Sequence, residues 1–226
     1  EILCPRFLKR PTNFGIVAED EDVDVKNEKD KVNSMEASDY NDYSLVLKNV
    51  SKYYKDFLAV NQLCIGIKPG ECFGLLGVNG AGKTSTFKML TGDNKISNGE
   101  AYVNGINLKM KMKDVHKVTG YCPQFDALID DLTGRETLVL FALSRGIPEA
   151  KLKEVIAKLA NDFNFTKHLD KQVKALSGGN KRKLSTAVAL LGNPKVIYLD
   201  EMSTGMDVAS KRNIWDVMCK VRKAGK

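Results

Sequence analysis

Long hydrophobic runs are missing from this 226-residue sequence. Stretches such as Ala187-Val188-Ala189-Leu190-Leu191 fall far short of the roughly 18 apolar residues that cross a bilayer, so any membrane-spanning part must lie outside it. Histidine is scarce: His116 and His168 stand alone, with no metal-ligand pattern around either. The five cysteines, Cys4, Cys64, Cys72, Cys122 and Cys219, make an odd number with no CxxC pair. That argues against a zinc site or a disulfide framework and fits a reducing, cytosolic compartment. Cys72 and Cys122, in apolar surroundings, read as small core residues. There is no initiator Met, no signal-peptide pattern, and no natural helix ending at Lys223-Ala224-Gly225-Lys226; both ends read as cut from something larger.

What is present suffices for one sizeable core: 43% of the residues are hydrophobic. The formal charge of +7 is unevenly spread. Residues 19–42 hold ten acids and three bases, which leaves a net +12 on 43–226. The acidic stretch has little aliphatic periodicity, and residues 1–43 are expected to form a disordered linker. The basic remainder is compatible with nucleic acid, anionic lipid or a phosphate ligand, and charge alone does not choose. From Ser44 onward the pattern is that of a folded domain. Strands are expected at Ser44–Val50 and Leu63–Ile67, with a turn at Lys68-Pro69-Gly70-Glu71. The run Cys72-Phe73-Gly74-Leu75-Leu76 predicts a buried parallel strand, and a helix should follow from Lys83 to about Thr91. Ala101–Gly105 reads as strand and turn. Leu152, Val155, Ile156, Leu159, Ala160 and Phe163 recur at helical spacing over 149–163, and Glu136–Ser144 is a shorter helix. Val196-Ile197-Tyr198-Leu199 is another buried-strand run, and Ile214, Val217, Met218 and Val221 mark a last helix.

Three segments carry chemistry. Gly77-Val78-Asn79-Gly80-Ala81-Gly82-Lys83-Thr84 fits GxxxxGK[ST] in full, after an apolar run and before a helix. Glycines there let backbone N–H groups turn toward phosphate oxygens, and the helix N-terminus adds positive potential. Lys83 is expected to reach the β- and γ-phosphates, and the Thr84 hydroxyl to bind Mg²⁺. Val196–Leu199 delivers Asp200 to the metal and Glu201 beside it, where it can polarise an attacking water. Leu176-Ser177-Gly178-Gly179-Asn180 offers a second helix N-terminus, with Ser177 as its cap, followed by the basic run Lys181-Arg182-Lys183. Taken alone, an ordinary cap with two glycines explains that segment as well.

The ordered set of P-loop, Gln124 in Tyr121-Cys122-Pro123-Gln124, Leu176–Asn180 and Asp200-Glu201 resembles the nucleotide-binding domain of ATP-binding-cassette (ABC) transporters over about residues 44–226. The wording of Gly70–Gly80, Tyr121–Ala127, Leu132-Thr133-Gly134-Arg135-Glu136 and Ser177–Ser185 is similar to the A subfamily, the lipid exporters, and within it to the second, C-terminal cassette. The resemblance implies roles. Tyr54 matches the aromatic that stacks on adenine, with Tyr53 as the fallback. Gly77, Asn79, Gly80, Ala81, Gly82, Lys83, Thr84 and Ser85 match the phosphate loop, and Thr84, Gln124 and Asp200 the Mg²⁺ contacts. Glu201, Lys83 and Gln124 match the catalytic set. Ser177, Gly178 and Gly179 match the signature that contacts ATP held by the opposite cassette, and Asp207, in Ser203-Thr204-Gly205-Met206-Asp207, the loop linking the two sites. There are three departures. Asn180 replaces the usual Gln of the signature, as the A subfamily does. Met202 stands where the family has Pro after the Asp-Glu pair, removing a rigid φ beside Glu201. No histidine follows Asp207, so the family's switch histidine is not within these residues.

The expected fold is therefore α/β, a P-loop NTPase of ABC-cassette type. It would have a helical subdomain over about 128–180 and a β-rich N-terminal flank. The expected function is binding and hydrolysis of ATP with Mg²⁺, powering lipid export at the cytoplasmic face of a membrane. The implied partners are a second cassette, paired head to tail over two ATP molecules, and the transmembrane domains of the same transporter, which handle the lipid. The isolated chain should be weakly active. Two alternatives stay open at this point: a soluble ABC ATPase acting on nucleic acid or ribosomes, and a degenerate regulatory cassette. The 53 positions from Gln124 to Ser177 leave no room for the coiled-coil insertion of the first, and intact Lys83, Asp200 and Glu201 weigh against the second.

Overall fold

The computed structural model describes residues 22–202 and 206–226; Ser203, Thr204 and Gly205 of the loop before Asp207 lie outside the described residues. Two long strands, β1 (Leu45–Tyr54) and β2 (Phe57–Ile67), form an antiparallel hairpin, with Leu45 opposite Ile67. The other edge of β1 pairs antiparallel with β3 (Asn98–Val103), which turns through Asn104-Gly105 into the short β4 (Ile106–Asn107). This sheet has the order β2-β1-β3-β4. A second sheet pairs β5 (Thr119–Cys122) in parallel with β6 (Val196–Leu199), Cys122 lying opposite Leu199. One apolar core joins the inner face of the first sheet to Met89, Leu90, Val115 and Tyr198.

The helices are α1 (Val23–Ser34), α2 (Lys83–Leu90), α3 (Met112–Val118), α4 (Gly134–Ser144), α5 (Glu149–Asp162), α6 (Gly178–Leu190) and α7 (Val208–Lys223). A second core, including Leu138, Ile156, Phe163, Leu184 and Ile214, holds α4 to α7 together. Residues 128–180 contain α4, α5, two short 3₁₀ turns and the first turn of α6. Three helix starts have a local cause in the sequence. Thr133 Oγ1 accepts from the Glu136 N–H at 3.2 Å while Glu136 Oε2 accepts from the Thr133 N–H at 2.7 Å, a reciprocal cap on α4. Pro148 precedes the first residue of α5, and Asp207 caps α7. Gly120 in β5 has no room for a side chain: a Cβ there would sit on the Ala189 carbonyl, so α6 packs directly onto β5.

Two expectations fail. Cys72–Leu76 is not a buried strand: it has no regular structure, Cys72 is exposed and Leu76 is 91% exposed. An apolar run becomes a strand only where neighbours satisfy its N–H and C=O groups, and neither sheet pairs with it among the described residues. Its residues instead line one wall of an apolar groove facing Leu45, Ile67 and β6. Cys122, by contrast, is fully buried as expected.

The second failure is the linker expected over 1–43. Residues 1–21 lie outside the described residues, but 22–43 are ordered as α1 and a 3₁₀ turn at Asp39–Asp42. The contacts are specific rather than extensive. Val32 is fully buried beside Met35, Tyr40 and Val46. Glu28 Oε1 accepts from the Gly66 N–H at 2.9 Å, and Asn49 Nδ2 donates to Asn33 Oδ1 at 2.8 Å. The Tyr40 and Tyr102 rings lie 4.2 Å apart. A few polar partners and three buried side chains, Val32, Met35 and Tyr40, thus offset the ordering entropy that composition alone suggested would win.

Candidate functional site

The P-loop occupies residues 77–82 and feeds directly into α2. Gly82, just before the helix, lies in the left-handed region at φ 84° and approaches β2 so closely that a Cβ would be 2.5 Å from the Ala59 carbonyl oxygen. Ala81 N–H donates to the Val78 carbonyl at 3.2 Å, closing the turn that contains Asn79 and Gly80. Thr84 and Ser85 stand in the first turn of α2, which holds no acidic residue, so its free N–H groups present unopposed positive potential. The Lys83 ammonium donates to the Gly77 and Val78 carbonyls at 2.6 and 3.0 Å. It therefore spans the loop from which a phosphate would draw it.

Tyr54, at the end of β1, reaches the same place. Its hydroxyl lies 3.4 Å from Ser85 Oγ and accepts from Asn94 Nδ2 at 2.9 Å, and the Lys52 ammonium lies 5.0 Å from its ring centre. Tyr53 points elsewhere in the bonding scheme, its N–H donating to Ser97 Oγ at 3.0 Å. Lys52 and Asn94 carried no sequence signal. Asn94 lies 40 residues from Tyr54, and only folding brings it there; Lys52, two residues before Tyr54, shares its face of β1.

Opposite the P-loop, the parallel pair β5–β6 aims both C-terminal ends at one spot. Asp200 N–H donates to the Cys122 carbonyl at 2.9 Å, extending the ladder by one residue. Beyond it, Gln124 Nε2 donates to Glu201 Oε2 at 3.0 Å. Burial pushes the Asp200 carboxyl above the ordinary carboxylate range, and the neighbouring Glu201 pushes the same way; Arg182 and Lys83 oppose them. Glu201 is itself in the left-handed region at φ 47°, at a cost of about 1–3 kcal/mol for a residue with a side chain. Proline at the next position would drive it toward extended geometry. Met202 imposes no such limit.

Ser177, Gly178, Gly179 and Asp207 form a separate group. Ser177 Oγ accepts from the Asn180 N–H at 3.3 Å and caps α6. The Asp207 carboxylate accepts from the Ser210 N–H at 2.9 Å, and that bond and the Ser210 hydroxyl hold its carboxyl below the usual range. A Cβ on Gly179 would touch both Ser210 and Asp207, so the two segments abut. Among the described residues, no hydrogen bond or ion pair links this group to the P-loop. Phe125, next to Gln124, is 82% exposed, and Leu128 is half-buried against the helical core. No helix among the described residues is long and apolar enough to cross a membrane, and no cluster of three His, Cys, Asp or Glu there could hold a metal ion.

Comparison with known proteins places this geometry. The family model described as ABC transporter matches residues 60–204. The chain is 46% identical over its full length to ATP-binding cassette sub-family A member 2 of Rattus norvegicus, of which it covers 9%. It is 46% identical over its full length to phospholipid-transporting ATPase ABCA3 of Homo sapiens, of which it covers 14%. With ATP-binding cassette sub-family A member 17 of Mus musculus it shares 48% over 98% of its length, 13% of that protein. It thus spans about a tenth of the curated relatives it matches. Among solved structures, one described as the ATP binding subunit of an ABC transporter superposes with a TM-score of 0.74 at 26% identity, over 80% of this chain and 75% of that one. The chain belongs to the ABC transporter family, as a nucleotide-binding cassette of A-subfamily type.

Proposed function

We propose that this cassette binds ATP with Mg²⁺ and, closed against a second cassette, hydrolyses it to drive lipid export by a larger membrane protein. The observation that carries the reading is the 3.0 Å contact between the Gln124 amide and the Glu201 carboxylate, at the end of the same sheet that holds Asp200. Lys83 would leave the Gly77 and Val78 carbonyls for the β- and γ-phosphates, a stronger, charge-assisted partner. Loop N–H groups from Gly77 to Lys83 and the first turn of α2, with Thr84 and Ser85, would cradle the phosphates. Tyr54, pinned by Asn94, would stack on the adenine. The donor set fits Mg²⁺, a hard cation that takes hydroxyl and carboxylate oxygens and keeps waters: Thr84, Asp200 and Gln124 would hold it, and it would screen charge on the phosphates. Glu201 would orient the attacking water and take its proton as the bond from the γ-phosphorus to the ADP oxygen breaks. Catalysis on this reading is positioning and electrostatics.

Ser177 and Gly178, exposed, and Gly179, half-buried, grouped with Asp207 away from the P-loop, would serve the ATP of the partner cassette, and Phe125 and Leu128 would meet the transmembrane domain. The chain would be the second, C-terminal cassette of its protein, at the cytoplasmic face of a membrane. Relatives named phospholipid-transporting ATPases support lipid as the cargo and lend nothing to a nucleic-acid-acting or purely regulatory role. In the intact protein in vesicles, Glu201→Gln should retain ATP and lose most turnover, while Lys83→Ala should lose retention of the nucleotide. Lipid should stimulate the wild-type rate. Near-normal hydrolysis by Glu201→Gln, or a rate indifferent to lipid and raised by RNA, would overturn the reading.

A further inference from the structure

Arg182 was met in the sequence only as the middle of a basic run, yet its side chain is 5% exposed. Its neighbours in that run, Lys181 and Lys183, make no comparable set of bonds. All three guanidinium nitrogens are engaged. Nε donates to the Met202 carbonyl at 3.0 Å, and Nη2 to the Asp200 carbonyl at 2.6 Å. Nη1 donates to the Pro123 carbonyl, to the Gln124 carbonyl at 3.2 Å and to the Asp126 carboxylate at 3.1 Å. One planar fork therefore grips two chain segments: 123–126, which carries Gln124, and 200–202, which carries Asp200 and Glu201. Its own backbone is in α6, two residues after the Ser177–Asn180 signature.

Burying a guanidinium costs several kcal/mol unless its donors are matched, and here the carbonyls of 123, 124, 200 and 202 and the Asp126 carboxylate match them. Such a residue is poorly replaced by lysine. A compact ammonium has no fork and cannot hold both segments at fixed spacing. The geometry points to Arg182 as a positioning residue for hydrolysis, which sets the Gln124–Glu201 contact and ties both segments to the signature helix. It touches neither reacting atoms nor nucleotide; it acts through the backbone on either side of Gln124 and Glu201. A displacement of α6, whose N-terminus would face the partner's ATP, is thereby carried to both. The inference rests on the ATPase reading above for its kinetic consequence, and on geometry alone for the tie.

The test uses the intact protein with Arg182→Lys. In hydrogen exchange without nucleotide, amides of 121–128 and 199–202 should exchange at least tenfold faster, while those of 77–84 stay unchanged. In turnover, kcat should fall at least tenfold with the KM for ATP within threefold. The loss should be non-additive: in a Gln124→Ala background, Arg182→Lys should cost less than threefold more. Unchanged exchange in both segments, an unaltered kcat, or losses that multiply in full would overturn the proposal. Should the Arg182→Lys protein not fold, Asp126→Asn removes only the ionic leg. A kcat reduced threefold or more at unchanged KM then supports the assignment, and an unaltered kcat overturns it. Wild-type protein without ATPase activity would instead defeat the functional reading, while the exchange comparison still decides whether Arg182 ties the segments.

Discussion

Replacing Val32 by alanine tests whether α1 is a docked element or the loose tether its composition suggests. Val32 is fully buried against Met35, Tyr40 and Val46 and is the one buried residue of a twelve-residue helix. Two methyl groups leave an apolar site, worth about 1.6 kcal/mol at ~0.8 per group, and the residual cavity brings the loss to about 2 kcal/mol. Alanine returns about 0.5 kcal/mol through its higher helix propensity. The net, about 1.5 kcal/mol, is close to a tenfold change in an equilibrium. An isolated helix of this length is marginal in water, so the loss should appear as local opening of residues 23–34 rather than as unfolding of the domain. Hydrogen exchange followed by mass spectrometry reads it directly: amides in 23–34 should exchange about ten times faster, and those in 45–67 at their former rate. If wild-type amides there already exchange at the unprotected rate, or if the variant accelerates both regions equally, the docking argument is wrong.

Two further outcomes follow from local geometry. Gly82→Ala should destabilise the domain by about 2–4 kcal/mol in chemical denaturation and weaken ATP-analogue binding at least tenfold. The added carbon meets the Ala59 carbonyl at 2.5 Å, and φ 84° costs a further 1–2 kcal/mol for any L side chain; a variant as stable as wild type would refute this. Glu136 is held below the ordinary carboxylate range by the Thr133 N–H and hydroxyl. A depressed folded-state value means stability that is present above the unfolded value and lost as pH falls through the folded one. The melting-temperature gap between wild type and Glu136→Gln should therefore be wider at pH 7 than in acid, and a gap independent of pH would count against the reciprocal cap.

How much of this was legible in the sequence depended on whether the signal was local. The P-loop, the Val196–Leu199 strand and α5 declared themselves because glycine spacing and apolar periodicity are properties of contiguous residues. Cys72–Leu76 misled for the opposite reason: a strand is a relation between segments, and apolar content says nothing of who pairs with it. α1 misled because two polar contacts and one valine leave no periodic trace. Arg182 left none either: with Ser185, Thr186 and Ala189 it falls at i, i+3, i+4 and i+7, a largely polar row that reads as solvated, and only the fold buries it. The Gln124–Glu201 contact could be anticipated only as roles, since 77 residues separate the pair.

The direct seating of α6 on β5 through Gly120 has a mechanical consequence. Two surfaces separated by side chains can slide, because rotamers yield before backbones do. Here a strand backbone meets a helix carbonyl with nothing between to yield, so the pair behaves as a single stiff bar. The two chains run in opposite directions, Gly120 against Ala189 and Gln124 against Arg182, so one end of the bar carries both the Ser177–Asn180 cap and Gln124. A push on the cap therefore reaches Gln124 at the same end without loss, and a single methyl group added at residue 120 would be a wedge at the far end that loosens the pair.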